Sequence, residues 1–328
     1  MRPFEYASPS TKQQATAMLG ADSVALAGGT DLLALMKDEV VSPKRVINLK
    51  TLPGMKGVTA GRGGLTIGAL NTLGDLAENA EVAKHFPILH EALQEAASPQ
   101  IRNMATLGGN VMQRPRCWYF RNGMGLLAKD DKGESLVLKG DNRYHAVLGN
   151  TGPAYFVSPS TIVPVLIAYG GSATVFTPAG KGRELKIEEL FRIPQNENDR
   201  EHTLAPNELV QEITLPTPAA GTHAGYYEVR QKEAFDWPLA TAAVILQMSG
   251  NTVKSAGVVL GQVAPIPWIS KEAADALVGK SITDETAMAA ANAALAPAKA
   301  LSMNRYKITV AKAAVKRAIL NAARGGAR

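Results

Sequence analysis

Two short glycine-centred corners constrain this chain more than any other feature. The first is Ala27-Gly28-Gly29-Thr30-Asp31-Leu32-Leu33, and the second is Thr106-Leu107-Gly108-Gly109-Asn110. Each follows a plausible strand or turn and places paired glycines beside a small hydroxyl. Without a Cβ, the backbone can approach a phosphate closely, adopt positive φ and turn its N–H groups toward an anion. Two such corners on one domain predict a grip on a pyrophosphate from two sides. Neither fits the dinucleotide fingerprint G-x-G-x-x-G or the P-loop pattern G-x-x-x-x-G-K-[ST]. A dinucleotide bound here therefore needs a different architecture.

The 328 residues are enough for two or three domains and a sizeable core. Thirty-five basic against 29 acidic residues leave a net charge of +6, which suits a phosphate-bearing ligand or an acidic protein partner. Nucleic acid is not indicated, because the basic residues are scattered. Only Lys312, Lys316, Arg317, Arg324 and Arg328 concentrate, at the C-terminus, where a solvated helix face explains them. The single cysteine, Cys117, excludes a disulfide framework and a Cys-ligated iron–sulfur cluster built from this chain alone. It reads as an inert buried thiol amid Trp118, Tyr119 and Phe120. The five histidines form no H-x-x-x-H or H-E-x-x-H pattern, so no protein-bound metal is expected. No stretch approaches a membrane span, and Met1 to Tyr6 lack an apolar signal core. The expected location is the cytoplasm, with export as a folded complex left open.

Along the chain, the patterns predict an α+β protein. Ser10 to Gln13 resembles a capping box, Val24–Ala27 a buried strand, Leu32–Met36 a helical turn and Arg45–Leu49 another strand. Pro53-Gly54 marks a turn and a boundary near residue 57. Val58–Ala60 and Leu65–Ala69 read as a hairpin, 82–97 as one helix, Ile162–Ala168 as a helix and Ser172–Phe176 as a strand. Four further runs, at 209–215, 224–230, 241–248 and 255–263, read as strands of one antiparallel sheet, and two Ala-rich helices close the chain. This organisation gives units at 1–57, 58–177 with an irregular insert at about 114–157, a connector with a first strand region at 178–220, and 221–328.

The corners also resemble a known family. Ala27 to Leu33, Ile67-Gly68-Ala69 with Thr72, and the run Ile101-Arg102-Asn103-Met104-Ala105-Thr106-Leu107-Gly108-Gly109-Asn110 are similar to the FAD-binding medium subunits of molybdenum hydroxylases. That group contains xanthine dehydrogenase, carbon monoxide dehydrogenase and 4-hydroxybenzoyl-CoA reductase. The resemblance implies the FAD-binding fold of vanillyl-alcohol-oxidase type in two α/β subdomains, followed by a C-terminal antiparallel-sheet-and-helix domain. It implies that Ala27, Gly28, Gly29, Thr30, Asp31, Leu32 and Leu33 wrap the FAD pyrophosphate. Thr106, Gly108, Gly109 and Asn110 would contribute from the other side, with Ile101 and Arg102 beside the dinucleotide. Asp31 reads equally well as a ligand contact and as an acid complementing a helix dipole.

Two departures stand out. Arg116 to Arg121 and Asn142 to Leu148 resemble the aldehyde oxidoreductase and 4-hydroxybenzoyl-CoA reductase subgroup, whose insert carries an extra [4Fe–4S] cluster on four cysteines. Only Cys117 remains; Ser135 and Ala154 stand at two of the other positions, and the fourth falls near 126–129. No [4Fe–4S] cluster is therefore expected in this chain. At Thr161 many relatives carry an acid close to the flavin, and here a hydroxyl replaces it. The resemblance implies no catalytic residue in this chain. It implies a molybdopterin-binding large subunit and a [2Fe–2S] small subunit as partners, with electrons passing through FAD to an external acceptor. A stand-alone flavin oxidase and a flavin-free scaffold subunit are the alternatives.

Overall fold

A computed structural model describes residues 1–61, 63–231 and 236–325. The chain opens on three short strands, β1 (Glu5–Ala7), β2 (Ser23–Leu26) and β3 (Arg45–Asn48), in an all-parallel sheet of order β1-β3-β2. Parallel neighbours need a crossover. The helices Lys12–Met18 and Leu32–Lys37 supply it. Thr11, rather than Ser10, caps the first helix: its hydroxyl accepts from Gln14 N at 3.2 Å. The first glycine corner is the β2-to-helix connection.

A five-stranded antiparallel sheet follows, of order β4-β5-β8-β6-β7. Its strands are β4 (Val58–Gly61), β5 (Gly64–Gly68), β6 (Ser172–Phe176), β7 (Gly182–Lys186) and β8 (Leu209–Pro216). This corrects the sheet assignment of 209–215. β8 lies centrally between β5 and β6, with Ile213 opposite both Ile67 and Ala173. Its alternation reads as a strand but says nothing about its partner. The expected helix over 82–97 is two helices, Ala80–His85 and Pro87–Glu95. Pro87 disfavours helical geometry at Phe86, whose ψ is 62°, and opens the second helix. Ile47, Ile67, Leu89, Leu166 and Ile213 share one buried core across both sheets.

The last sheet is antiparallel, order β12-β11-β10-β9, from β9 (Thr222–Val229), β10 (Ala240–Ser249), β11 (Thr252–Gly261) and β12 (Trp268–Ile269). Helices Asp284–Ala294 and Tyr306–Ala323 cover its face. Their small residues Ala290, Ala291, Ala294, Ala314, Ala318 and Ala322 are fully buried against Ala242, Val244, Leu246 and Val258. Small side chains let the helices lie close to the sheet.

The insert is mostly irregular, with short helices Trp118–Arg121 and Leu136–Lys139. Polar contacts tie it to the end of the chain. Asn142 donates to Ser302 Oγ (2.8 Å) and accepts from Met303 N (2.9 Å). Lys307, 1% exposed, donates to the carbonyls of Tyr144 (2.9 Å) and Gln262 (2.8 Å). Burial pushes the Lys307 ammonium down to about 7.

Candidate cofactor site

The two glycine corners meet. A Cβ on Gly28 would fall 1.8 Å from the carbonyl oxygen of Met104, so the first corner rests directly on the backbone leading into the second. Gly29 sits at φ +76°, which only glycine adopts without strain. Together the corners line a cleft of about 560 Å³ that also takes in Ser23 to Ala25, Met55, Ala69 and Leu70. A second cavity of about 170 Å³ adjoins it and shares Gly28, Leu70 and Thr106 with it.

The corners differ in what they offer. Among the described residues, no acceptor takes the N–H groups of Gly28, Gly29, Thr30, Asp31 or Leu32. Five consecutive unsatisfied donors beside a cleft are an anion-binding concavity. In the second corner, Leu107 N donates to Asn71 O, Gly108 N to Ala69 O, Asn110 N to Thr106 O, and Gly109 N to the Thr106 hydroxyl at 3.1 Å. Those N–H groups are engaged, because Thr106 caps the helix Leu107–Val111. The expectation of free amides on both sides therefore holds for the first corner only. In the second, a Cβ on Gly108 would fall 2.9 Å from Ala69 and one on Gly109 2.9 Å from the Thr106 hydroxyl, so the glycines let this corner pack closely, and the hydroxyl keeps one hydrogen to donate.

Of the residues singled out in the sequence, Ala27, Gly28, Gly29, Thr30, Asp31, Leu32, Thr106, Gly108 and Gly109 line the large cleft. Leu33, Ile101, Arg102, Asn110 and Thr161 line neither cavity. Leu33 and Ile101 are exposed outside it, at 39% and 45%. Arg102 braces the turn behind it, donating to Ala96 O and Ala97 O. Asn110 accepts from the Ser160 hydroxyl at 2.6 Å, and Thr161 is buried next to that contact.

The Asp31 side chain is engaged within the protein. Its carboxylate accepts from Arg114 N (2.8 Å) and pairs with Arg116 Nη1 (3.0 Å) and Arg121 Nη2 (2.7 Å). It gives no side-chain cap to its own helix. Asp31 thus fastens the glycine corner to the insert. Arg114 in turn grips both oxygens of Glu201. Burial raises the Glu201 carboxyl, but the Arg114 charge, His202 and hydrogen bonds together outweigh it and hold the group below the usual range. Beside it His202 lines the cleft, its ring tilted 52° against that of Phe191 with centroids 5.4 Å apart. Burial pushes His202 down to about 4, so it is neutral near pH 7.

Sequence reasoning missed the far wall, Arg200, His202 and Leu204 to Pro206, with Glu208 to Val210. Its proline, asparagine and mixed charge read as a plain connector. It also missed Lys50 and Lys56, which line the smaller cavity. Cys117, Leu126, Leu127, Ala154, Phe156 and Ile193 pack into a small apolar cluster. Cys117 Sγ lies 3.2 Å from His145 Nε2, and burial raises the thiol and lowers His145 to about 4. Among the described residues, no group of three His, Cys, Asp or Glu side chains could hold a metal ion. No described helix is long and apolar enough to cross a membrane. Trp237 is half exposed and stacks on Arg116, 4.9 Å from the ring centroid.

Comparison with known proteins agrees with this geometry. Residues 2–218 match the family described as the FAD binding domain in molybdopterin dehydrogenase, and residues 225–322 the CO dehydrogenase flavoprotein C-terminal domain. The chain is 34% identical to the aldehyde oxidoreductase FAD-binding subunit PaoB of Escherichia coli K12, over 95% of this chain and 96% of that one. It is 31% identical to the carbon monoxide dehydrogenase medium chain of Hydrogenophaga pseudoflava, over 98% and 96%. A solved carbon monoxide dehydrogenase from that organism, lacking the Mo-pyranopterin moiety of its molybdenum cofactor, superposes with a TM-score of 0.76 at 30% identity, covering 98% of each chain. The cleft, the corner that offers its amides and the sheet-and-helix domain behind them are those of an oxidoreductase subunit, and the chain belongs to the FAD-binding medium subunits of the molybdenum hydroxylase (xanthine dehydrogenase) family.

Proposed function

We propose that this chain is the electron-transfer subunit of a multi-subunit molybdenum hydroxylase. The observation that carries the reading is the row of unpaired amides from Gly28 to Leu32 in the cleft. Convergent N–H dipoles suit the two charges of a diphosphate. In this reading Ala27 to Leu32 and the Thr106 hydroxyl hold the pyrophosphate, while Gly108 and Gly109 let the second corner pack closely along the cleft. The exposed Leu33 and Ile101, together with Arg102, Asn110 and Thr161, act around that core. FAD, when bound, accepts electrons singly and delivers them in pairs.

The protein's part is to hold and orient the flavin and to keep the loop rigid through Asp31 and its arginines. No general acid or base in this chain is needed. Substrate oxidation then belongs to a molybdopterin-binding large subunit, and electrons arrive through [2Fe–2S] clusters of a small subunit. They leave to an external acceptor. The likeness to an aldehyde oxidoreductase subunit favours an aldehyde or aromatic substrate. Purification with and without co-expressed partner subunits tests this. A yellow single chain that supports dye-linked aldehyde oxidation only in the complex agrees. Turnover by the single chain, or a colourless protein in both states, contradicts it.

A further inference from the structure

Most basic side chains around the glycine corners are already neutralised. Arg116 and Arg121 pair with Asp31, and Arg114 with Glu201. Arg200 is the exception on the far wall of the main cleft: among the described residues it has no ion pair, and burial and the Arg114 charge outweigh its attraction to Glu201. Lys44 is tied to Asp22 at 2.8 Å. Lys50 and Lys56 are different. Both are exposed, and among the described residues neither ammonium has an ion-pair or hydrogen-bond partner. They stand on the two flanks of the Pro53-Gly54 turn and line one wall of the smaller cavity. That cavity shares Gly28, Leu70 and Thr106 with the main cleft, so Lys50 and Lys56 line a space that reaches the first residue of the unpaired amide row. No acidic residue lines the smaller cavity.

We infer that Lys50 and Lys56 are charge partners of the cofactor diphosphate, acting from the smaller cavity that adjoins the Gly28 end of the amide row. This rests on the cofactor reading above. The amides stabilise the anion by direct hydrogen bonds and set its place. The lysines add charge without fixed geometry, since an ammonium on a four-carbon stem is a mobile point charge. Charges near solvent attract over about 10 Å at 0.1 M salt and less at higher salt. The lysine contribution must therefore fade with ionic strength, while the amide contribution persists. Two lysines at an open junction also favour FAD over riboflavin, which has no phosphate to hold.

The test uses the full chain with whatever subunits accompany it, stripped of flavin. FAD uptake is followed by quenching of flavin fluorescence across a salt series. The wild type is compared with K50Q/K56Q and K50R/K56R. The expected result is FAD affinity about tenfold weaker for K50Q/K56Q at low salt. Its salt dependence should be flatter, and its affinity should converge on the wild type as salt rises. K50R/K56R should match the wild type throughout, which excludes a merely structural loss. Wild-type affinity with unchanged salt dependence in K50Q/K56Q would overturn the inference. So would a loss that is the same at every salt concentration, or one that arginine fails to rescue. A wild-type protein that takes up no FAD would overturn the cofactor reading itself.

Discussion

At the scale of single residues, two positions decide whether the cleft can form. Gly28 has no space for a side chain, because the obstacle is the Met104 carbonyl, a backbone atom in the turn after the helix Pro99–Arg102. Gly28→Ala should cost about 3 kcal/mol and strip the protein of flavin. The flavin-to-protein ratio and a thermal melt check this; a variant that retains full flavin content contradicts it. Asp31 acts through charge rather than shape. Asp31→Asn keeps the size but leaves Arg116 and Arg121 unpaired in a half-buried site, at a cost of about 1–3 kcal/mol. Denaturant unfolding of the pair of proteins measures it, and FAD affinity should fall with it as the corner loosens. The sequence shows Gly28 plainly, as part of a pattern with a physical reason. It hides the role of Asp31, because the arginines that answer it lie 83 to 90 residues away.

At the scale of elements, the insert carries its own pH signature. His145 is buried between Cys117, Trp118 and Tyr119, and its Nδ1 has no partner. Burial, aided by the Lys307 charge, lowers it to about 4, below its ordinary 6.5. The unfolded chain therefore binds more protons than the folded one between those values, and stability must fall as pH drops from 6.5 toward 4. The loss from this group is up to roughly 3 kcal/mol, and His202 adds to the same limb. His145→Gln should flatten the acid limb in urea titrations at pH 7, 5.5 and 4.5; an unchanged slope contradicts the assignment. The elements themselves were legible where pattern and partner are local: the Val58–Gly68 hairpin, β6 and the two closing helices. β8 was read as a strand, yet alternation cannot choose between two sheets, and its partners come from residues 64–68 and 172–176. The second glycine corner carries a second role that its pattern does not show. Thr106 looks like a ligand-binding hydroxyl, but three residues before Gly109 it is also a helix cap, and the cap engages the amide.

At the scale of the whole molecule, the cofactor cleft draws on distant parts of the chain: the first parallel unit, the corner before the insert, and the 200–210 segment leading into β8. The first two were visible as motifs. The third was not, since a wall of loop residues has no period to read. In the insert an apolar cluster surrounds Cys117, the one cysteine left of the four that the resemblance assigns to an extra [4Fe–4S] cluster. Iron analysis of the separated subunit should find none, and about four irons per chain would contradict it. The central claim is that backbone amides of one glycine corner hold a flavin diphosphate. A density map of the flavin-loaded complex tests it most directly. The account predicts the diphosphate within hydrogen-bonding distance of the Gly28 to Leu32 amides, with the Thr106 hydroxyl beside it. A flavin bound elsewhere on the subunit, or those amides turned to solvent while it is bound, would contradict the account.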